Sequence, residues 1–256
     1  MNRILVPTDF SEQSRSALLA AGGLARRTGA QIQLLHVLEK PKREEEAKQR
    51  IAQEGTQPEL EGIVIERFVT RGNDVDEIIH FKSDLIVMGS KGARGLRSLI
   101  LGTHAESVAK HAMVPVITVK HAADLEHVKR IVFATDLRPE QEDILDDLSR
   151  FQTLFDAHLH LLKVYDSTVV KAGEVEKRMR SFAENFRLKS YSVTAREGTN
   201  EIHEIIAFAT EMKADLVAMA THDRHGLERL FGGLISGSVI NEIDLPIWTK
   251  ALPYAD

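Results

Sequence analysis

Along the chain, short apolar runs alternate with amphipathic stretches, and the order repeats. In the first half the runs fall near 3–7, 31–37, 63–69, 84–88 and 114–120. Most pass through Ile, Leu and Val without polar alternation, as strands buried on both faces do. The third, carrying Glu66 and Arg67, is the exception and is expected nearer a sheet edge. Strands separated by helical stretches imply βαβ units and a parallel sheet covered by helices.

The first helix is predicted to open at Ser11, a good N-cap, and to place Ala17, Leu18, Ala21, Leu24 and Ala25 on one stripe. Arg26, Arg27 and Gly29 then mark its end. In the second half Pro139 suits a first helical turn, and Ile144, Leu145, Leu148, Phe151, Leu154 and Phe155 continue at helical spacing.

The second half is a second writing of the first. Ile4-Leu5-Val6-Pro7-Thr8-Asp9 returns as Ile131-Val132-Phe133-Ala134-Thr135-Asp136, and Leu34-Leu35-His36-Val37 as Leu161-Leu162-Lys163-Val164, both 127 positions on. Asp84-Leu85-Ile86-Val87-Met88 returns as Asp215-Leu216-Val217-Ala218-Met219, and Val114-Pro115-Val116 as Leu245-Pro246-Ile247, both 131 positions on. Two constant offsets with a single step of four between them are the mark of a domain-sized repeat. The expected fold class is α/β, two tandem five-stranded parallel-sheet domains of Rossmann-like, adenine-nucleotide α-hydrolase-like type. They are expected at 1–122 and 128–256, joined by a short polar linker.

Composition narrows the chemistry. Of the 256 residues, 43% are hydrophobic and 28% charged, so a packed core is expected. A net charge of −5 gives no broad positive field for nucleic acid. The chain has no cysteine, which removes disulfides, thiolate metal sites and cysteine nucleophiles. It shows neither a signal-peptide pattern nor a membrane-length apolar run, so a cytoplasmic location is expected.

In an open parallel sheet, ligands bind beyond the carboxyl ends of the strands at the switch point. Two segments of the first copy converge there. Pro7-Thr8-Asp9 follows the first strand and offers a carboxylate to an amine or a ribose hydroxyl. The other segment, Gly89-Ser90-Lys91-Gly92, follows the fourth strand and leads after nine residues to Gly102-Thr103-His104, which opens a helix running to about His111. Glycines let backbone amides approach phosphate oxygens, and a helix N-terminus adds unpaired N–H groups and the positive dipole end. Among His222, Asp223 and His225 no further metal ligand converges, so these are read as solvent-facing and no metal site is expected. His36, within a strand, is expected to find a backbone partner.

Taken together, the Asp after the first strand, the Leu-Leu-His-Val second strand, the Met-Gly-Ser-x-Gly loop, the Gly-Thr after nine residues and the final Val-Pro-Val strand resemble the universal stress protein family in its ATP-binding, tandem form. The resemblance implies that Pro7, Thr8 and Asp9 line the adenosine, with Val37 at the adenine and Met88 and Gly89 completing the nucleoside pocket. Ser90 and Lys91 belong to the same loop. Gly92, Gly102, Thr103 and the amide of His104 would hold the phosphates of ATP (or AMP or ADP), with Mg as a candidate bridging cation. It further implies a stress-response regulator acting through a protein partner, with little or no hydrolysis. The last strands of the two copies are expected to pair as an intramolecular pseudo-dimer, with a homodimer as the alternative. A non-catalytic scaffold and a slow ATPase are the competing readings. The chain has no Walker P-loop and no Ser-His-Asp arrangement.

The second copy departs where the phosphates would lie. Ala220 stands for Gly89, Asp223 for Gly92 and Leu234 for Thr103. ATP is not expected there, because a carboxylate about 4 Å from a phosphate costs on the order of 1 kcal/mol even in bulk water.

Overall fold

The computed structural model describes residues 1–38, 44–90, 103–137, 142–221 and 245–251. The chain divides into two compact units, Met1–His127 and Val128–Asp256. The first contains β1 (Arg3–Pro7), α1 (Glu12–Thr28), β2 (Gln31–Leu38), α2 (Glu44–Gln53), β3 (Ile65–Arg71), α3 (Asp74–His80), β4 (Leu85–Gly89), α4 (Thr103–His111) and β5 (Val116–Val119). The second contains β6 (Arg130–Ala134), α5 (Glu142–Phe155), β7 (His158–Tyr165), α6 (Ala172–Asn185), β8 (Tyr191–Glu197), α7 (Glu201–Glu211), β9 (Leu216–Thr221) and β10 (Ile247–Ala251).

In the first unit the strands lie in the order β3-β2-β1-β4-β5, and every pairing is parallel. The second unit repeats this as β8-β7-β6-β9-β10, again parallel throughout. The central strands carry the cores, with Ile4, Leu5, Val6, Ile86 and Val87 fully buried in one unit and Ile131, Val132 and Phe133 in the other. Burial on both faces explains why these runs lack polar alternation.

Local signals set most boundaries. Ser11 caps α1 by accepting from the Ser14 amide, and Gly29 ends it in the left-handed region at φ 71°. Strand β3 begins at Ile65, two residues later than its apolar run suggests, because pairing with β2 starts where Ile65 meets Ile32. It occupies the sheet edge as Glu66 and Arg67 imply, and Arg67 reaches across to the carbonyls of Ile51 and Glu54 at the end of α2. A guanidinium there adds donors to carbonyls at the helix end and complements its negative dipole end.

The four-residue step between the two repeat offsets has a structural origin. Helices α3 and α7 begin at equivalent positions, Asp74 and Glu201, but α3 has 7 residues and α7 has 11. The second copy therefore has about one extra helical turn before its fourth strand. Past that turn the copies realign on a shared clasp. The carboxylate of Asp84 accepts from the amides of Asn2 and Arg3 at 2.6 and 3.1 Å, and Asp215 accepts from Lys129 and Arg130 at 2.8 Å each.

Candidate functional site at the β1–β4 switch point

In the first unit the chain leaves β1 toward β2 and β3 on one side, then returns to place β4 and β5 on the other. The connections diverge between β1 and β4, and in open parallel sheets the carboxyl ends of the strands at such a switch point are where ligands bind. Pro7 ends β1 and Gly89 ends β4.

The turn after β1 is tightly determined. The Thr8 amide donates to the Leu35 carbonyl at 2.8 Å, extending the ladder one residue past the strand. The Thr8 side chain is buried, and its hydroxyl accepts from the Phe10 amide at 3.0 Å and lies 3.1 Å from the Ser14 hydroxyl. These bonds hold Phe10 at φ 63°, a conformation a side chain adopts only when its surroundings impose it. The Thr8 carbonyl accepts from Nδ1–H of His36 at 2.7 Å, which is the backbone partner expected for that strand histidine and fixes its tautomer. Asp9 stays exposed, with one carboxylate oxygen accepting from the Ser11 amide at 3.0 Å. Asp9 thus braces the turn that leads into the Ser11 cap while its carboxylate stays exposed at the end of β1.

At β4, Met88 is buried and Gly89 is half-buried. Gly89 lies against the first turn of α1, where an added Cβ would stand 2.5 Å from the Gln13 carbonyl carbon and 2.9 Å from its Cβ. Real side chains do not tolerate such approaches, so glycine lets α1 begin directly beside the end of β4. Ser90 is turned inward: its amide donates to the Val119 carbonyl at 2.8 Å and its hydroxyl reaches the same oxygen at 3.4 Å. Its side chain serves the link to β5. Val37 lies near the end of β2, half-buried and in register with Thr70 of β3.

Helix α4 starts at Thr103. The exposed His104 directs Nδ1 toward the Asp74 carboxylate at the start of α3, 3.5 Å away. The structure therefore brings Pro7, Thr8, Asp9, Met88, Gly89 and Ser90 to the ends of the two switch-point strands, and Val37 to the end of β2, next to β1. Lys91, Gly92 and Gly102 lie outside the described residues, as do His222, Asp223, His225 and Leu234. Among the described residues no group of three or more metal-ligating side chains converges. Gln13, Ser14 and Phe10 escaped the sequence reading. Phe10 and Ser14 lie in an ordinary capping segment, and nothing local marks Gln13 as the backbone that β4 must accommodate.

The second unit keeps the turn while its loop sequence diverges. The Thr135 amide donates to the Leu162 carbonyl at 3.0 Å, its buried hydroxyl accepts from the Leu137 amide at 2.9 Å, and Leu137 sits at φ 64°. The ladder bond, the hydroxyl–amide bond and the positive φ match those at Thr8 and Phe10. The turn is thus a property of the strand-to-helix corner. The copies differ at the end of the fourth strand, where Ala220 stands at the position of Gly89.

Comparison with known proteins gives a consistent result. The profile of the Universal stress protein family matches residues 1–120 and again 127–249. The universal stress protein MJ0531 of Methanocaldococcus jannaschii is 30% identical over 138 residues, covering 46% of this chain and 81% of that protein. A universal stress protein of Archaeoglobus fulgidus has a crystal structure that superposes with a TM-score of 0.75 at 24% identity, covering 98% of this chain and 96% of its own.

Proposed function

The chain belongs to the universal stress protein family, and on that premise we propose that its amino-terminal unit binds ATP at the β1–β4 switch point as a regulatory ligand, while its carboxyl-terminal unit does not. The observation that carries this reading is what meets at the adjacent ends of β1 and β4. A rigid Thr8–Asp9–Phe10 turn faces the end of β4, where Gly89 admits α1, and α4 opens at Thr103 immediately after Gly102.

The parts divide the nucleotide between them. Val37 and Met88 supply apolar contact for the base, and the exposed Asp9 carboxylate is placed for a ribose hydroxyl or an exocyclic amine. Gly92, Gly102, Thr103 and the His104 amide take the phosphates, and a Mg ion bound with them would offset their charge. In the second unit Ala220 and Asp223 oppose the same ligand, by a methyl group and by like charge. The output is a change in partner binding rather than a reaction product, in a cytoplasmic stress response.

A second reading rests on the His104–Asp74 pair at the opening of α4. An imidazole oriented by a carboxylate beside a polyphosphate site is the pairing that slow hydrolysis would use. Loss of phosphate release in His104→Gln with ATP affinity retained supports it, and unchanged release removes it.

The test is mass analysis of nucleotide released by denaturing freshly purified protein, with ATP titration of the wild type and Gly92→Asp. A stoichiometry near one per chain, with binding lost in the variant, supports the proposal. Two per chain overturns the reading of the second unit. No bound nucleotide and no titratable binding overturns the whole and leaves the scaffold.

A further inference from the structure

We propose that the first unit carries a second ligand site, for a small organic anion, in the cleft between α1 and α2. This cleft of about 370 Å³ is lined by Arg15, Arg50, Gln53, Glu54 and Gln57. That volume lies within the range of small-molecule sites. None of these residues belongs to the proposed nucleotide site.

The charge in the cleft is organised. Glu54 is 7% exposed and is held by Arg15, whose Nε and Nη2 both donate to Oε1 at 3.3 and 3.1 Å. That pair is internally neutral. Arg50 is different: it is exposed, and its guanidinium lies over the Phe10 ring at 4.3 Å from the centroid. Glu46, one helical turn earlier on α2, is the ordinary partner for such an arginine. Arg50 stacks on Phe10 instead, and among the described residues no carboxylate pairs with it.

An exposed guanidinium held over an aromatic ring by cation–π attraction has N–H groups to offer a carboxylate or phosphate. The excess positive charge in the cleft selects an anion. Carboxylates and phosphate monoesters share this chemistry.

The site also has a mechanical link to the nucleotide turn. Phe10, under Arg50, packs against the His36 ring at 4.4 Å between centroids and donates its amide to Thr8. An anion held by Arg50 thus sits one side chain away from the turn that carries Asp9.

The test uses the full chain, with inorganic phosphate and succinate as probes, each titrated in the presence of saturating ATP and again in Gly92→Asp. Binding is followed through the Nε–Hε NMR signals of Arg15 and Arg50. Saturable shifts in both backgrounds, weakened about tenfold or more in Arg50→Gln as loss of a charged hydrogen bond requires, support the site. The probe that binds identifies the acid class. Strictly linear shifts, affinity unchanged in Arg50→Gln, or binding lost in Gly92→Asp overturn it, the last because the anion would then occupy the nucleotide loop. Failure of ATP binding alone leaves the Gly92→Asp arm able to decide this site separately.

Discussion

Gly89 meets Gln13 so closely that a β-carbon on the glycine would stand 2.5 Å from the Gln13 carbonyl carbon. The contact joins the end of β4 to the first turn of α1, beside the place where the nucleotide is proposed to sit. Gly89→Ala must push α1 away or strain β4. Overpacking of this kind costs typically about 1–3 kcal/mol. Urea denaturation should show that loss, and ATP titration should show weaker binding even though no ligand group was removed. Wild-type stability in Gly89→Ala would mean that the helix yields freely and the glycine has another role.

Asp84 and Asp215 make the same clasp in the two units. Asp84→Ala or Asp215→Ala strands two backbone amides at the start of a central strand. Each substitution should cost about 1–3 kcal/mol in its own unit, read by hydrogen exchange of β1 or β6 amides.

For Asp84 the clasp also has an acid signature. Partial burial works to raise its pKa, but the Asn2 and Arg3 amides, with help from nearby positive charge, outweigh that and hold the carboxyl below its ordinary value. A group with a depressed folded-state pKa contributes stability that is present above its unfolded value, about 3.9, and is lost as pH falls through the folded one. Acid unfolding of the first unit should therefore come at higher pH in Asp84→Asn, followed by circular dichroism. Coincident acid transitions would sink the assignment.

His160 gives the second unit an acid sensitivity of the opposite origin. Its ring is buried, 4.5 Å from the His158 ring centroid and edge-on to Phe208, and Nδ1 lies 2.8 Å from the Ser192 hydroxyl. Burial, then the proximity of His158 and Arg130, pushes its pKa down. The unfolded chain therefore binds the proton more readily, so stability is complete above about 6.5 and declines as pH falls below it. His160→Gln should flatten that decline in thermal unfolding scans between about pH 7 and pH 5. An unchanged slope would locate the sensitivity elsewhere.

Arg67 closes the end of α2 from the neighbouring strand β3, donating to the carbonyls of Ile51 and Glu54. Arg67→Met keeps much of the apolar stem and removes the donors. It should cost about 1–2 kcal/mol and release protection at the last turn of α2 in hydrogen exchange.

By itself the sequence determined the duplication and the strand and helix order, and it pointed to the corner proposed as the ligand site. Those features have local or periodic causes: Ser11 caps a helix three residues from the amide it satisfies, Gly29 ends it, and central strands must be apolar on both faces. Even the four-residue step was legible, though only the structure shows it to be the extra turn of α7. Tertiary structure alone decided that Gly89 abuts Gln13, that His36 holds the Thr8 carbonyl, that Arg67 completes a helix it does not belong to, and that Arg50 stacks on Phe10. Each joins positions far apart in the chain. Such contacts depend on how helices settle against a finished sheet, and no spacing along the chain records that.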